Sequence, residues 1–332
     1  MILEAVRQVR GKEPVRRSIT NDVTVNGRNE FLFFVKPELL LDRESLRSDA
    51  ILDLILGKLD AFDLKIRSAS VLSAGYLEKH EIIAQHYGVI NRIAKHAKTA
   101  VSESAKMRFE SIFGEPFERA KVLGGLEIMD QFPGFTPESL DYLWQNGKFE
   151  KLAGGTYALR VKIDGEGIYL VNGFHPRQLQ HFTEPGRCIV VFSLVGDLDW
   201  SRARSEFIGA TSPADALAGS IRRELLEKAA EFGLAAVTPS WNGVHLSAGP
   251  IEGLIELIRY QSDFESGKRL SVADFALGRE LMQEFGASQT QLLLENPELS
   301  TENGKVTVFD LTEEQNAADA LALLKSAGVS ET

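Results

Sequence analysis

The 332 residues exceed one average domain, and 44% hydrophobic with 25% charged content is the balance of a chain that buries a core. A formal net charge of −10 argues against a nucleic-acid partner, which calls for a basic face, and leaves room only for a local basic pocket. The single cysteine, Cys188, cannot form an intrachain disulfide, no Cys/His spacing suggests zinc, and no apolar run approaches the ~20 residues of a membrane span. A reducing, cytoplasmic setting without a membrane partner is expected.

In chain order, residues 1–28 carry Arg7, Arg10, Arg16 and Arg17 without a following apolar signal core, so they read as an exposed arm or a first helix. Phe31-Leu32-Phe33-Phe34-Val35 is apolar without alternation, the pattern of a strand buried on both faces. Lys36-Pro37 ends it, because proline supplies no ladder donor. Lys36 therefore stands at a strand's carboxyl end, where α/β folds place ligands and where a lysine can equally reach solvent. Leu46, Ile51, Leu52, Leu54, Ile55 and Leu59 predict a helix within 44–62, residues 64–72 a second strand, and Tyr76–Ala97 a second helix. His80 and His86 are six apart, so they cannot form the i, i+4 metal pair of a helical metalloprotease.

Residues 98–187 read as an insertion. Helical character runs over Ser102–Ile112 and over Pro137–Trp144, the latter capped by Thr136. Alternating segments around Asp164-Gly165-Glu166-Gly167 predict a β-hairpin. His175, Arg177 and His181 follow, expected as solvated residues in and before a short helix. Cys188–Val195 is the strongest buried-strand signal and should lie centrally in the sheet.

Trp200–Phe207 reads as a helical turn or two. Next comes the stretch from Gly209 to Ser247, which carries an imidazole, a guanidinium, a hydroxyl and an amide between glycines, an inventory suited to phosphoryl transfer through histidine. Val244–Ser247 has strand character, and Leu254, Ile255 and Ile258 mark a helix over Ile251–Tyr260. Beyond Gln261, helices are expected at Val272–Phe285 and Glu313–Leu324, with an edge strand over Lys305–Phe309. The resulting order predicts an α/β (α+β) fold, a ferredoxin-like sandwich on an antiparallel sheet with an inserted helical and β-hairpin segment. The expected divisions are an N-terminal arm (1–28), a core (29–97 and 188–260), the insertion (98–187) and a C-terminal extension (261–332).

Five segments in sequence resemble the nucleoside diphosphate kinase family. They are Phe33-Phe34-Val35-Lys36-Pro37, His86-Tyr87, Gly209-Ala210-Thr211-Ser212-Pro213-Ala214-Asp215, Gly219-Ser220-Ile221-Arg222, and Asn242-Gly243-Val244-His245-Leu246-Ser247. The resemblance implies that His245 accepts the γ-phosphate of a nucleoside triphosphate and passes it to a nucleoside diphosphate. It implies that Ser247 and Glu256 orient the imidazole, and that Lys36 and Tyr87 serve the same site. Lys36, Arg204 or Arg202, Thr211, Arg222 and Asn242 would hold phosphate or sugar oxygens. Mg²⁺ would arrive on ATP or another nucleoside triphosphate, with no metal cage in the protein. The chain departs from the family pattern at three points: Ser205 falls where the second arginine is expected, Lys95 where an aromatic stacks on the base, and the Arg222-to-Asn242 interval is lengthened. That lengthened loop makes subunit contacts in the family, so an oligomer remains possible while assembly as the usual hexamer is not expected. The alternative is a non-catalytic or differently specific nucleotide-binding regulatory or scaffold protein on the same fold.

Overall fold

The phenylalanine-rich run from Phe31 to Val35 is fully buried and supplies both faces of a sheet with core, as a strand without polar alternation must. A computed structural model describes residues 1–11, 14–20, 23–302 and 304–329. The chain forms two units, Met1–His80 with Pro185–Thr332, and Glu81–Glu184.

In the first unit five strands are β1 (Arg16–Thr20), β2 (Asn29–Val35), β3 (Lys65–Ser73), β4 (Cys188–Gly196) and β5 (Val244–Leu246). They lie in the order β1-β3-β4-β2-β5, each antiparallel to its neighbours. β4 is central, as its nine buried residues require. Four helices of this unit are α1 (Ile2–Val9), α2 (Ser48–Ala61), α3 (Ile221–Glu227) and α4 (Pro250–Gln261). Without β1, the sequence β2-α2-β3-β4-α3-β5 with this strand order is a ferredoxin-like fold.

One sheet face carries Phe31, Phe33, Val35, Val71, Val190, Phe192, Val244 and Leu246 into a core shared with α1, α2 and α3. The period of two sends Phe34 to the opposite face, where its ring stacks on Tyr260 of α4 at 5.4 Å. Residues 1–28, expected as an arm or a helix, supply both α1, with Val6 and Val9 fully buried, and the edge strand β1. The expected edge strand at Lys305–Phe309 does not join this sheet. Gly304–Thr307 pairs with Glu298–Thr301 in a separate hairpin, and Val308 already begins a helix capped by the Thr307 side chain.

The continuous helix expected over Tyr76–Ala97 is broken into Ala74–Lys79, Ile82–His86 and Gly88–Lys95. Glu81 has φ +51°, a left-handed conformation that cannot continue a right-handed helix. The second unit has its own apolar clusters, one around Phe109, Phe117 and Tyr169 and one around Trp144, Leu159 and Leu170. Its hairpin, Thr156–Ile163 with Glu166–Val171, turns at Asp164 and Gly165, both at positive φ, as a tight two-residue turn demands. Helices at Glu103–Phe113 and Pro137–Asn146 start at the caps Ser102 and Thr136. His175 and His181, expected to be solvated, are buried instead. His175 lies between Gln178 and Asn91, at 3.1 and 3.2 Å, and burial lowers its pKa to about 4, so it is a neutral structural residue. No helix among the described residues is long and apolar enough to cross a membrane.

Candidate functional site

Strand register decides where His245 points. Val244 and Leu246 enter the apolar core, so the residue between them faces the other side of the sheet, opposite Phe34 in the ladder. The two rings stack at 4.6 Å. On that same side α4 starts at Gly249-Pro250, with proline fixing the first turn, and packs close to the strand end: a Cβ on Gly253 would meet Ser247 Cβ at 3.3 Å.

This proximity brings Glu256, 2% exposed, to the histidine. Its Oε2 accepts a hydrogen bond from Ser247 Oγ at 2.5 Å and lies 3.1 Å from His245 Nε2. A carboxylate oxygen only accepts, so the imidazole carries its proton on Nε2 and its lone pair on Nδ1. The histidine side chain is 20% exposed.

A second group gathers at the carboxyl end of β2. Lys36 Nζ donates to Asn242 Oδ1 at 2.7 Å, and Asn242 Nδ2 donates to the carbonyls of Thr211 and Pro239 at 3.1 Å each. Gly243 locks the same corner, its carbonyl accepting from Lys36 N at 2.8 Å and its amide donating to Glu38 Oε1 at 2.9 Å. Burial lowers the Lys36 pKa to about 8; Glu38 opposes the shift and Arg222 adds to it.

The arginines address the sheet edge. β5 is the outermost strand, and residues 243 and 247 bond β2, which turns the carbonyls of Val244 and Leu246 outward. Arg222 NH2 donates to the Val244 carbonyl at 3.0 Å and its NH1 to that of Gly209 at 2.9 Å. Arg204 NH1 donates to the Leu246 carbonyl at 3.0 Å. The carbonyls on either side of His245 are thus each held by a guanidinium. Gly209 has φ +87°, and a Cβ there would lie 2.4 Å from Ser220 Oγ, so only glycine fits where Arg222 takes its carbonyl.

Arg204 lies in a π turn, Ala203–Ile208, which is wider than an α-helical turn by one residue. Arg202 pairs with Glu206 on the surface, and of the two arginines Arg204 is the one beside His245. Thr211 is exposed and engaged through its carbonyl; Ser212–Ser220 form turns and bends, so it caps no helix.

Lys36, Arg204, Thr211, Arg222, Asn242, His245, Ser247 and Glu256 all belong to the first unit. Tyr87 and Lys95 belong to the second. Tyr87 separates two short helices with its ring edge-on to His86 and His175, and Lys95 stands exposed beside Glu81 at 3.8 Å. Sequence reasoning missed two acidic residues. Glu252, one turn before Glu256 on α4, has a carboxyl raised to about 7 by burial foremost, then by Glu256, with Arg204 opposing. Glu314 brings Oε1 to 3.9 Å from Arg204 Nε. The i, i+4 spacing of Glu252 and Glu256 was the one signal available for the first.

No family model and no curated protein matches the chain. Solved structures do. The nucleoside diphosphate kinase of Encephalitozoon cuniculi is 12% identical, with 71% of this chain and 90% of that one covered at a TM-score of 0.35. Those of Pyrobaculum aerophilum and Aquifex aeolicus are 18% and 15% identical, each with 73% of this chain and 99% of theirs covered, at TM-scores of 0.35 and 0.36. At these values the likeness bears on neither substrate nor activity.

Proposed function

We propose that the first unit is a phosphotransferase of the nucleoside diphosphate kinase type, working through a phosphohistidine at His245. The observation that carries this reading is the Ser247–Glu256–His245 arrangement, which directs the imidazole lone pair to Nδ1 and backs Nε2 with a buried carboxylate. Nδ1 attacks the γ-phosphorus of a nucleoside triphosphate, the bond from that phosphorus to the β,γ-bridging oxygen breaks, and the nucleoside diphosphate leaves. The positive charge gained by the ring is balanced by Glu256. A terminal oxygen of a second nucleoside diphosphate then attacks the phosphorus, the P–N bond breaks, and the neutral imidazole returns. Lys36, still cationic below about pH 8, supplies a charge for phosphate oxygens, with Asn242 holding its Nζ and Arg204 and Arg222 lining the strand edge. Mg²⁺ enters on the nucleotide as part of the substrate.

The test is incubation with γ-labelled ATP and Mg²⁺. An acid-labile, base-stable label on the wild type, absent from His245→Ala and discharged by a nucleoside diphosphate, is the expected result. An unlabelled wild type, or a label that survives the substitution, ends the reading.

A second reading keeps nucleotide binding without transfer, and the engagement of Arg222 and Arg204 with backbone carbonyls favours it. It predicts calorimetric binding of ADP with no label on His245.

A further inference from the structure

We propose that Glu314 is a built-in competitor of phosphate at Arg204, so that the C-terminal segment around it antagonises anion binding beside His245. The inference rests on the phosphotransfer reading for the role given to Arg204.

The segment is held against the site strand from several sides. Glu314 N donates to the Ala248 carbonyl at 3.0 Å, two residues before α4. At Gly249 a Cβ would lie 2.6 Å from the Thr312 carbonyl, so the two backbones touch. Farther along, Ala317 N donates to Asn29 Oδ1 and Asn29 Nδ2 to Asn316 Oδ1, both at 2.9 Å, which ties the segment to the start of β2. Between these anchors Glu314 adopts φ +57°, a conformation that L side chains rarely take and that glycine would accept freely. A glutamate there brings its carboxylate to Arg204.

Charge explains what the contact does. Arg204 spends NH1 on the Leu246 carbonyl, while its buried Nε, 3.9 Å from Glu314, lacks a hydrogen-bond partner. Glu314 is the carboxylate that an incoming phosphate must displace from this guanidinium. Other acidic groups adjoin the pair: the Glu252 carboxyl feels Arg204 as well as Glu256 and Glu313. The Glu314 side chain is 48% exposed, so it can swing into water while its backbone stays bonded.

The experiment is isothermal titration of Mg²⁺-ADP into wild type, Glu314→Gln, Arg204→Gln and the double variant, each checked for an unchanged melting temperature. Glu314→Gln should bind roughly two- to fivefold more tightly, the range expected for a half-exposed ion pair. The gain should vanish in the Arg204→Gln background and shrink in 0.5 M salt. Binding by the wild type with no gain, or with a loss, in Glu314→Gln overturns the inference and leaves the phosphotransfer reading standing. If ADP binds neither protein, that reading falls and inorganic pyrophosphate becomes the probe: a gain in Glu314→Gln then upholds the competition, and its absence ends it.

Discussion

Glu256 Oε2 stands 3.1 Å from His245 Nε2 while holding Ser247 Oγ at 2.5 Å, so one buried oxygen fixes both the tautomer and the tilt of the imidazole. Glu256→Gln keeps the shape and removes the charge that, on the proposed reading, balances the ring cation. Phosphorylation of His245 measured by quenched flow should slow about 100-fold, with ADP affinity nearly unchanged.

On the proposed reading, Lys36 should tie binding to pH. Its proton leaves near pH 8 because the group is buried, so nucleotide affinity should fall as pH rises through 8. Lys36→Arg, which stays charged, should hold affinity flat to pH 9 in the same titration series. For stability the sign is opposite to the usual lysine case. The folded state releases the proton before the unfolded chain does at 10.5, so stability contributed by this group rises from about pH 8 to 10.5.

Arg222 serves the scaffold as well as any ligand. Arg222→Met leaves the Gly209 and Val244 carbonyls without their donors in a buried setting. Urea unfolding should register a loss of about 2–4 kcal/mol. Arg204→Met should cost less, since that side chain is more exposed and one carbonyl is involved.

Glu252→Gln should stabilise the protein at neutral and alkaline pH. The folded carboxyl is raised to about 7 from its ordinary 4.5, so the wild type binds the proton more tightly when folded and loses stability as pH rises from 4.5 to 7. Calorimetric scans should find the variant melting about 2–4 °C higher at pH 8 and level with wild type at pH 4.

Much of the scaffold was legible because its signals are local. The apolar run at Cys188–Val195 had to be central, and Val244 and Leu246 flanking His245 had to point it away from the core they enter. Asp164-Gly165 announced a hairpin through turn chemistry alone. What escaped depends on partners distant in the chain. β1 is Arg-Arg-Ser-Ile-Thr, too polar to read as a strand until β3 supplies its ladder. The break at Glu81 contains neither glycine nor proline, and the π turn at Ala203–Ile208 has no compositional mark. Glu314 joins the site only because Thr312 and Gly249 meet. The hold of the Arg222 guanidinium on the Gly209 and Val244 carbonyls is a role that residue type cannot reveal.

The strand order also sets a timetable for biosynthesis. Among the described residues β2 pairs with β4 and β5, both made well over a hundred residues later, with residues 81–184 emerging in between. At about 5–20 residues per second, an apolar strand with two unsatisfied edges waits for many seconds. During that interval it is a target for holding chaperones and for intermolecular pairing. Conditions that slow elongation between codons 80 and 185 should therefore lower the soluble yield of the whole chain.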